Sequence, residues 1–234
     1  MIYVTGDIHG EIDIAKLDEE HFPAQRAMTK DDYVIILGDF GFPWGGESEE
    51  TDRQYLAWLD ECPFTTLFID GNHENFDLLY ALPEEEWNGG RIHRVSKSVL
   101  HLCRGGVFTL QGKTFFAFGG ARSTDRERRT PHVNWWPQEE PSKAEYQRGA
   151  DALAAAGWKV DYVLTHAVPA SLSPDWNKEP LSNYLETVKK KLLFTHWYFG
   201  HYHADVTFHP GPWWQARSRF GSFSCLYDAL DKIE

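Results

Sequence analysis

The sequence predicts an α/β fold that turns to antiparallel β-structure in its middle, and three observations predict it. Short apolar runs rich in β-branched and aromatic residues alternate with helix-length segments in the first part of the chain. From Val99 onward such runs follow one another across glycine-bearing turns. A well-marked helix then separates the middle strands from the last ones.

Ile2 to Thr5, Tyr33 to Leu37 and Thr65 to Ile69 read as the first strands. Glu49 to Glu61 and Asn75 to Leu82 read as helices, each long enough to cross between parallel strands. Val99 to Leu102, Val107 to Leu110 and Thr114 to Phe118 follow, with Gly105-Gly106 and Gln111-Gly112-Lys113 expected as turns between neighbouring strands. Ala121 to Pro141 shows neither period 2 nor period 3.6 and is long for a connection, so it reads as a functional loop, its aromatics and prolines favouring an ordered flap. Ser142 to Ala156 reads as a helix: Ser142 caps it, Glu145 completes a capping box and Gly157 ends it. Tyr162 to Thr165, Leu193 to Phe199, Val206 to His209 and Phe223 to Tyr227 complete the strands. No repeat, low-complexity tract or linker divides residues 1–234, so a single domain is expected.

At 234 residues the chain can bury a core without staples, so any metal it holds is expected to serve chemistry. Cys62, Cys103 and Cys225 are far apart and form no CxxC pair, which argues against a disulfide framework and a thiolate zinc site and for a reducing cytoplasm. The opening residues carry no basic leader, and no apolar run is long enough to span a bilayer, so neither secretion nor a membrane is expected. With 23 Lys and Arg against 35 Asp and Glu, the net charge of -12 opposes long nucleic acid as a partner. Trp44, Trp135, Trp136, Trp213 and Trp214 fall in loops or edges, where indole rings can wall a ligand cleft.

Five fragments carry the chemistry: Asp7-Ile8-His9-Gly10, Gly38-Asp39, Gly71-Asn72-His73-Glu74, Thr165-His166 and Gly200-His201-Tyr202-His203. Each follows or adjoins a strand-like run, so its polar side chains project from a strand end, where α/β sheets usually carry their sites. Asp7 and His9 are two apart and share a face of an extended backbone. Asp39 can bridge two cations through its two oxygens. Asn72 offers an amide oxygen, and His166, His201 and His203 offer ring nitrogens, a donor set suited to Mn, Fe, Zn, Co or Ni over Ca. His21, His93, His101, His132, His196 and His209 read as structural or surface groups; Thr195-His196 repeats the Thr165-His166 dipeptide, but His196 lies inside an apolar run.

In this order the fragments resemble the signature of the calcineurin-like metallophosphoesterase superfamily: Asp-x-His, Gly-Asp, Gly-Asn-His-Asp/Glu, His, then Gly-His-x-His. The resemblance runs from Asp7 to His203 and implies a four-layer α/β/β/α sandwich, two mixed β-sheets flanked by helices. It implies two divalent or mixed-valence transition-metal ions, manganese first among Mn, Fe, Zn, Co and Ni. One would be held by Asp7, His9, Asp39 and His203 and the other by Asp39, Asn72, His166 and His201, with Asp39 and a water-derived hydroxide bridging them. His73 would act as general acid, and its pKa, near two cations, would need a neighbouring carboxylate to keep it charged.

The chain departs from the protein serine/threonine phosphatases, which read Gly-Asp-x-x-Asp-Arg-Gly: Phe42 and Pro43 stand where that branch has Asp and Arg. Glu74 receives no catalytic role. A replacement phosphate clamp is sought among the four arginines between Arg122 and Arg129; Arg122 is preferred because Gly119-Gly120 brings it from a strand end, with Arg126 as helper and Asn72 also on the substrate side. The expected substrate is a phosphodiester or small phosphomonoester. The rivals are a nuclease on short or single-stranded nucleic acid and a non-catalytic scaffold of the same fold.

Overall fold

In β2 (Tyr33–Leu37), Val34 and Ile36 enter one apolar cluster while Ile35 and Leu37 enter another, so both faces of the strand are covered. That pattern sets the architecture. The computed structural model describes residues 1–173, 179–208 and 221–233. Its first sheet contains β1 (Ile2–Thr5), β2, β3 (Thr65–Ile69), β4 (Glu84–Trp87), β5 (Gly90–Arg94), β6 (Val99–Leu102) and β13 (Asp231–Ile233), in the order β13-β1-β2-β3-β6-β5-β4. The second contains β7 (Gly106–Leu110), β8 (Lys113–Phe118), β9 (Tyr162–Thr165), β10 (His196–Phe199), β11 (Val206–Phe208) and β12 (Ser222–Cys225), in the order β11-β12-β10-β9-β8-β7. Strands β1, β2, β3 and β6 run parallel, as do β8, β9, β10 and β12; the outer strands pair antiparallel.

The sheets pack face to face. Val4, Ile35, Leu67 and Leu100 meet Phe108, Phe115, Leu164 and Tyr198 in one buried cluster. Outside the first sheet lies α1 (Glu49–Glu61), and the short α2 (Phe76–Leu79) adds Leu79 to the same outer cluster. Outside the second lie α3 (Lys143–Ala155) and α4 (Pro180–Lys191), which bury Leu153, Leu181, Leu185 and Val188 against Phe116, Val163 and Trp197. This is the four-layer arrangement of two mixed sheets between helices.

The capping box of α3 forms as its sequence predicts, with Ser142 accepting from the Glu145 N–H and Glu145 accepting from the Ser142 N–H. Gln111-Gly112 also forms its hairpin: both residues have positive φ (48° and 78°), as a two-residue turn of this hand requires. Other expectations are corrected. Gly105-Gly106 does not join neighbours but carries the chain from the first sheet to the second, with a Gly105 Cβ position only 2.6 Å from the Gly149 nitrogen of α3. The helix expected over Asn75 to Leu82 is one turn, capped by Asn75, because Pro83 turns the preceding residue away from helical backbone. The strand expected from Leu193 starts at His196, since Leu193 forms an isolated bridge with Lys159.

Strands β4, β5 and β13 and helix α4 were not among the expected elements. The β4–β5 hairpin turns on Asn88-Gly89, both at positive φ, a signal visible in the sequence but masked by the acidic composition of β4. Helix α4 has proline in its first turn, apolar residues at 181, 185 and 188, and lysines in its last turn. The three cysteines are free and buried. Among the described residues no helix is long and apolar enough to cross a membrane. The strand end at His209, and Trp213 and Trp214, lie outside the described residues.

Asp70, just past β3, pairs with Arg104; both are buried, and Arg104 Nε donates to Asp70 Oδ2 at 2.8 Å. Burial would raise the Asp70 pKa, but Arg104 and His101 bring it down to about 2. The pair therefore stabilises the fold fully above the unfolded value of 3.8 and loses this contribution as pH falls toward 2. Asp70→Asn, which strands a buried guanidinium, should cost about 3–5 kcal/mol in urea unfolding at neutral pH. The gap from wild type should narrow below pH 3.8.

Candidate metal centre

The parallel strands of both sheets end at one edge, and the five fragments gather there. Asp7 follows β1, Asp39 follows β2, Asn72 follows β3, His166 follows β9, and His201 and His203 follow β10. His9, Asp39, His201 and His203 have φ of 51°, 47°, 71° and 46°, the left-handed region that costs energy for residues other than glycine. Such strain persists only where neighbours over-determine it. Here the Ile8 and His9 N–H groups donate to the Asp39 carbonyl at 3.0 and 2.7 Å, and the His201 N–H donates to Asp7 Oδ1 at 3.0 Å. Glu74 accepts from the N–H groups of Phe40, Gly41 and Gly71 at 2.9, 3.1 and 3.2 Å, tying the Asp39 loop to the Asn72 loop.

Asp39 lies between two groups of donors. Its Oδ2 is 3.4 Å from His9 Nε2 and 3.4 Å from His166 Nε2, while its Oδ1 accepts the His73 N–H at 2.7 Å. The ligand atoms of Asp7, His9 and His203 converge within 4.8 Å of one another, as do those of Asp39, His166 and His201. Asn72 Oδ1 is 3.2 Å from His166 Nε2, and Asn72 Nδ2 donates to Ser123 Oγ at 3.2 Å, which aims the amide oxygen inward. Ser123 Oγ donates in turn to Glu139 Oε2 at 2.6 Å.

This donor set fits metal ions. Nδ1 of His166 donates to the Leu37 carbonyl at 2.7 Å, and Nδ1 of His9 faces Asp13 Oδ2 at 3.4 Å; each ring thus turns Nε2 toward Asp39. Asp7 Oδ2 is buried with no hydrogen bond, 3.1 Å from His203 Nε2, and a cation would satisfy both atoms. Burial lowers the His166 pKa, yet the charges of Asp39 and Asp7 lift it to about 10. A field that draws a proton this strongly also draws a metal. His201, by contrast, is held neutral at about 4 by burial and by His166, leaving a lone pair to donate.

His73 lies beside this cluster, its ring 5.8 Å from that of His9. The group against its Nδ1 is Arg129, whose Nη1 is 3.1 Å away, where a carboxylate was expected. Burial lowers the His73 pKa from 6.5, Asp39 opposes this and Arg129 adds to it. Arg122 and Arg126 turn elsewhere: both face Glu140 Oε1, at 3.8 and 2.9 Å. Arg129 is oriented by Asp125, which accepts from its Nε at 2.8 Å. Phe42 is buried among aromatic rings, 5.3 Å from Tyr55 and 5.4 Å from Phe40, so a hydrophobic plug fills the position that holds Asp in the phosphoprotein branch.

Trp44 and Phe42, with His9, His73, Gly10 and Ile12, line a cavity of about 330 Å³ next to the cluster. Trp135 and Trp136 were expected to wall such a cleft, but neither lines this cavity. Trp136 is buried instead, its Nε1 donating to Asp77 Oδ2 at 2.7 Å and its ring edge-on to Trp44 at 5.4 Å; it anchors the 121–141 segment to α2. The site also uses Glu74, Arg129, Asp13 and Tyr227, which no role was drawn for. Tyr227 stacks on His203 at 4.5 Å and donates to Asp13 Oδ2 at 3.0 Å. Glu74 adjoined a motif and Arg129 stood in the arginine cluster, whereas nothing local marked Asp13 or Tyr227.

The fold and donor set define an α/β protein of two mixed sheets with a candidate metal centre at its strand edge. The chain belongs to the calcineurin-like phosphoesterase family, whose model matches residues 1–205. It is similar to lariat debranching enzyme A of Xenopus laevis, 26% identical over 210 residues, covering 82% of this chain and 36% of the relative. It is also similar to the lariat debranching enzyme of Drosophila pseudoobscura pseudoobscura, 24% identical over 239 residues, covering 86% of this chain and 42% of the relative. The chain thus spans less than half the length of these curated relatives. Among solved structures it matches the calcineurin-like phosphoesterase YfkN from Bacillus subtilis with a TM-score of 0.43 and 12% identity, over 96% of this chain and 80% of that one.

A Cβ at Gly71 would fall 2.0 Å from Asp39 Oδ1 and 2.3 Å from the Asp39 nitrogen. Gly71→Ala should therefore displace Asp39 and lower metal content, read by elemental analysis after loading and desalting, while circular dichroism stays that of the wild type.

Proposed function

We propose that the protein is a dinuclear-metal phosphoesterase acting on phosphodiesters or small phosphomonoesters. One ion would be held by Asp7, His9, Asp39 and His203, and the other by Asp39, Asn72, His166 and His201. The observation that carries this reading is the single oxygen, Asp39 Oδ2, equidistant from a histidine of each donor group. When bound, two such ions activate water at neutral pH and offset charge on the phosphoryl group.

The chain's own groups do the rest. Arg129, drawn to His73 Nδ1, leaves the proton of the neutral ring on Nε2, from which it can be given to the departing oxygen. Its guanidinium also supplies the bidentate phosphate contact that the Phe42 and Pro43 positions lack. Arg129 thus replaces Arg122 and Arg126 as the clamp in this reading, and Asn72 serves the metal side. The aromatic wall of Phe42 and Trp44 supports a substrate with a planar substituent on its phosphate, and a cavity of about 330 Å³ suits one such group. The names of the two lariat debranching relatives agree with a diester.

Asp39→Asn should lower kcat/KM on a chromogenic diester by on the order of 10³-fold, and Arg129→Ala by about 10²-fold. Arg122→Ala should stay within about 2-fold of the wild type, the range of a surface substitution away from the site. Loss of His73 should penalise alkyl esters more than nitrophenyl esters, whose leaving group needs no proton; equal loss on both would remove His73 as the acid.

A second reading, cleavage of short or single-stranded nucleic acid, is favoured by the arginines of the 121–141 segment and opposed by the net charge of -12. Single-stranded oligonucleotides should compete weakly against the chromogenic diester, with little dependence on salt. Strong, steeply salt-dependent competition would favour the nuclease.

A further inference from the structure

Away from the catalytic edge, strands β5 and β6 pair His93 directly with His101, and Cys103 follows the end of β6. All three are buried, and one ligand atom from each lies within 4.8 Å of the others. His93 Nδ1 is 3.0 Å from His101 Nδ1, and Cys103 Sγ is 3.7 Å from His93 Nδ1. Around a tetrahedral ion with metal–nitrogen bonds of about 2.0–2.1 Å and a metal–sulfur bond of about 2.3 Å, two nitrogens stand about 3.3 Å apart and nitrogen and sulfur about 3.6 Å. These two spacings differ from the ideal by a few tenths of an ångström, and the third pair, His101 and Cys103, lies within 4.8 Å.

The hydrogen-bond geometry agrees. His101 Nε2 meets Asp70 Oδ1 at 3.0 Å, which turns its Nδ1 toward His93. That is the carboxylate–histidine pairing that orients metal-bound imidazoles. Beside the cluster opens a cavity of about 520 Å³, also lined by Tyr80, Glu84, Glu145 and Arg148, which leaves room for a fourth ligand.

We propose that His93, His101 and Cys103 form a further metal site, separate from the catalytic edge, that takes a borderline-soft divalent ion, zinc in the first instance. On binding, a metal–sulfur and two metal–nitrogen bonds replace bound waters. The Cys103 thiol gives its proton to solvent, and no electron is transferred. Burial holds that thiol up at about 12, so the cation itself supplies the stabilisation that the thiolate needs. The absence of a CxxC pair therefore does not exclude a thiolate ligand, because the site is assembled by strand register. An ion here fixes His101 against Asp70, the residue that precedes Gly71 and Asn72, and so braces a catalytic loop from behind.

The 234-residue chain is loaded with zinc or cobalt, desalted and measured for metal content and near-ultraviolet absorption. Cys103→Ser and His93→Gln should each bind one equivalent less than the wild type, and Asp39→Asn should keep that equivalent. Cobalt-loaded wild type and Asp39→Asn should show a thiolate-to-cobalt charge-transfer band that Cys103→Ser lacks. Circular dichroism checks that each variant is folded, and His93→Gln keeps the test intact if Cys103→Ser is not. Equal metal content in the wild type and a folded His93→Gln or Cys103→Ser, with no charge-transfer band in the wild type, would overturn the site and leave a hydrogen-bond chain from His93 to Asp70.

Discussion

The Asp39 carboxylate takes the His73 N–H through one oxygen and turns the other toward His9 and His166 at equal distance. Nearly every unusual feature of the candidate metal-binding edge follows from holding it there. The Gly71 Cβ position would overlap Asp39, so that residue must be glycine. Asp39 itself adopts positive φ, and Glu74 secures both flanking loops through three backbone N–H groups. Glu74 is buried, and desolvation together with the Asp39 charge raises its pKa to about 8. A Glu74 raised this far keeps its proton at neutral pH, so the negative charge of the edge comes from Asp39 and Asp7 and calls for cationic charge nearby.

What could be read from the sequence divides along the range of the interactions involved. Strand cores such as Val34 to Leu37 were legible because continuous burial leaves a continuous apolar run. The residues now gathered at the edge were legible because each sits directly after such a run. The edge strand β4 was not, since Glu84 to Glu86 satisfy a half-exposed strand while reading as a polar loop. Gly105-Gly106 looked like a hairpin turn because sequence alone does not say which sheet the next strand joins. The His93, His101 and Cys103 cluster depends on the β5–β6 register, and β5 was not among the expected strands.

The arginines of the 121–141 segment show the same limit at the candidate site. Four arginines in one segment look equivalent in sequence, and proximity to Gly119-Gly120 favoured Arg122. In the fold, Trp136 pins the segment to α2 through Asp77, and Glu140 draws in both Arg122 and Arg126. Arg129 is the arginine turned to His73. An anchor fourteen residues from the preferred arginine thus decides which guanidinium faces the site.

This substitution changes the character of the proposed acid. In the phosphoprotein branch an aspartate would support the histidine and store it as imidazolium; here burial and the Arg129 cation against Nδ1 lower the His73 pKa and favour a neutral ring with its proton on Nε2. A neutral imidazole gives up its proton poorly to a weakly basic oxygen and readily only to an oxygen that is gaining charge as its bond to phosphorus breaks. Transfer is then coupled to bond breaking, and the same Arg129 that disfavours the imidazolium in the free enzyme is available to the phosphate once substrate arrives. Engaging an anionic phosphoryl group would relieve the repulsion between Arg129 and a protonating His73, so the substrate itself would switch on its acid. In this reading Phe42 and Pro43 would change where the charge that governs His73 comes from, moving it from a fixed aspartate to the incoming phosphate.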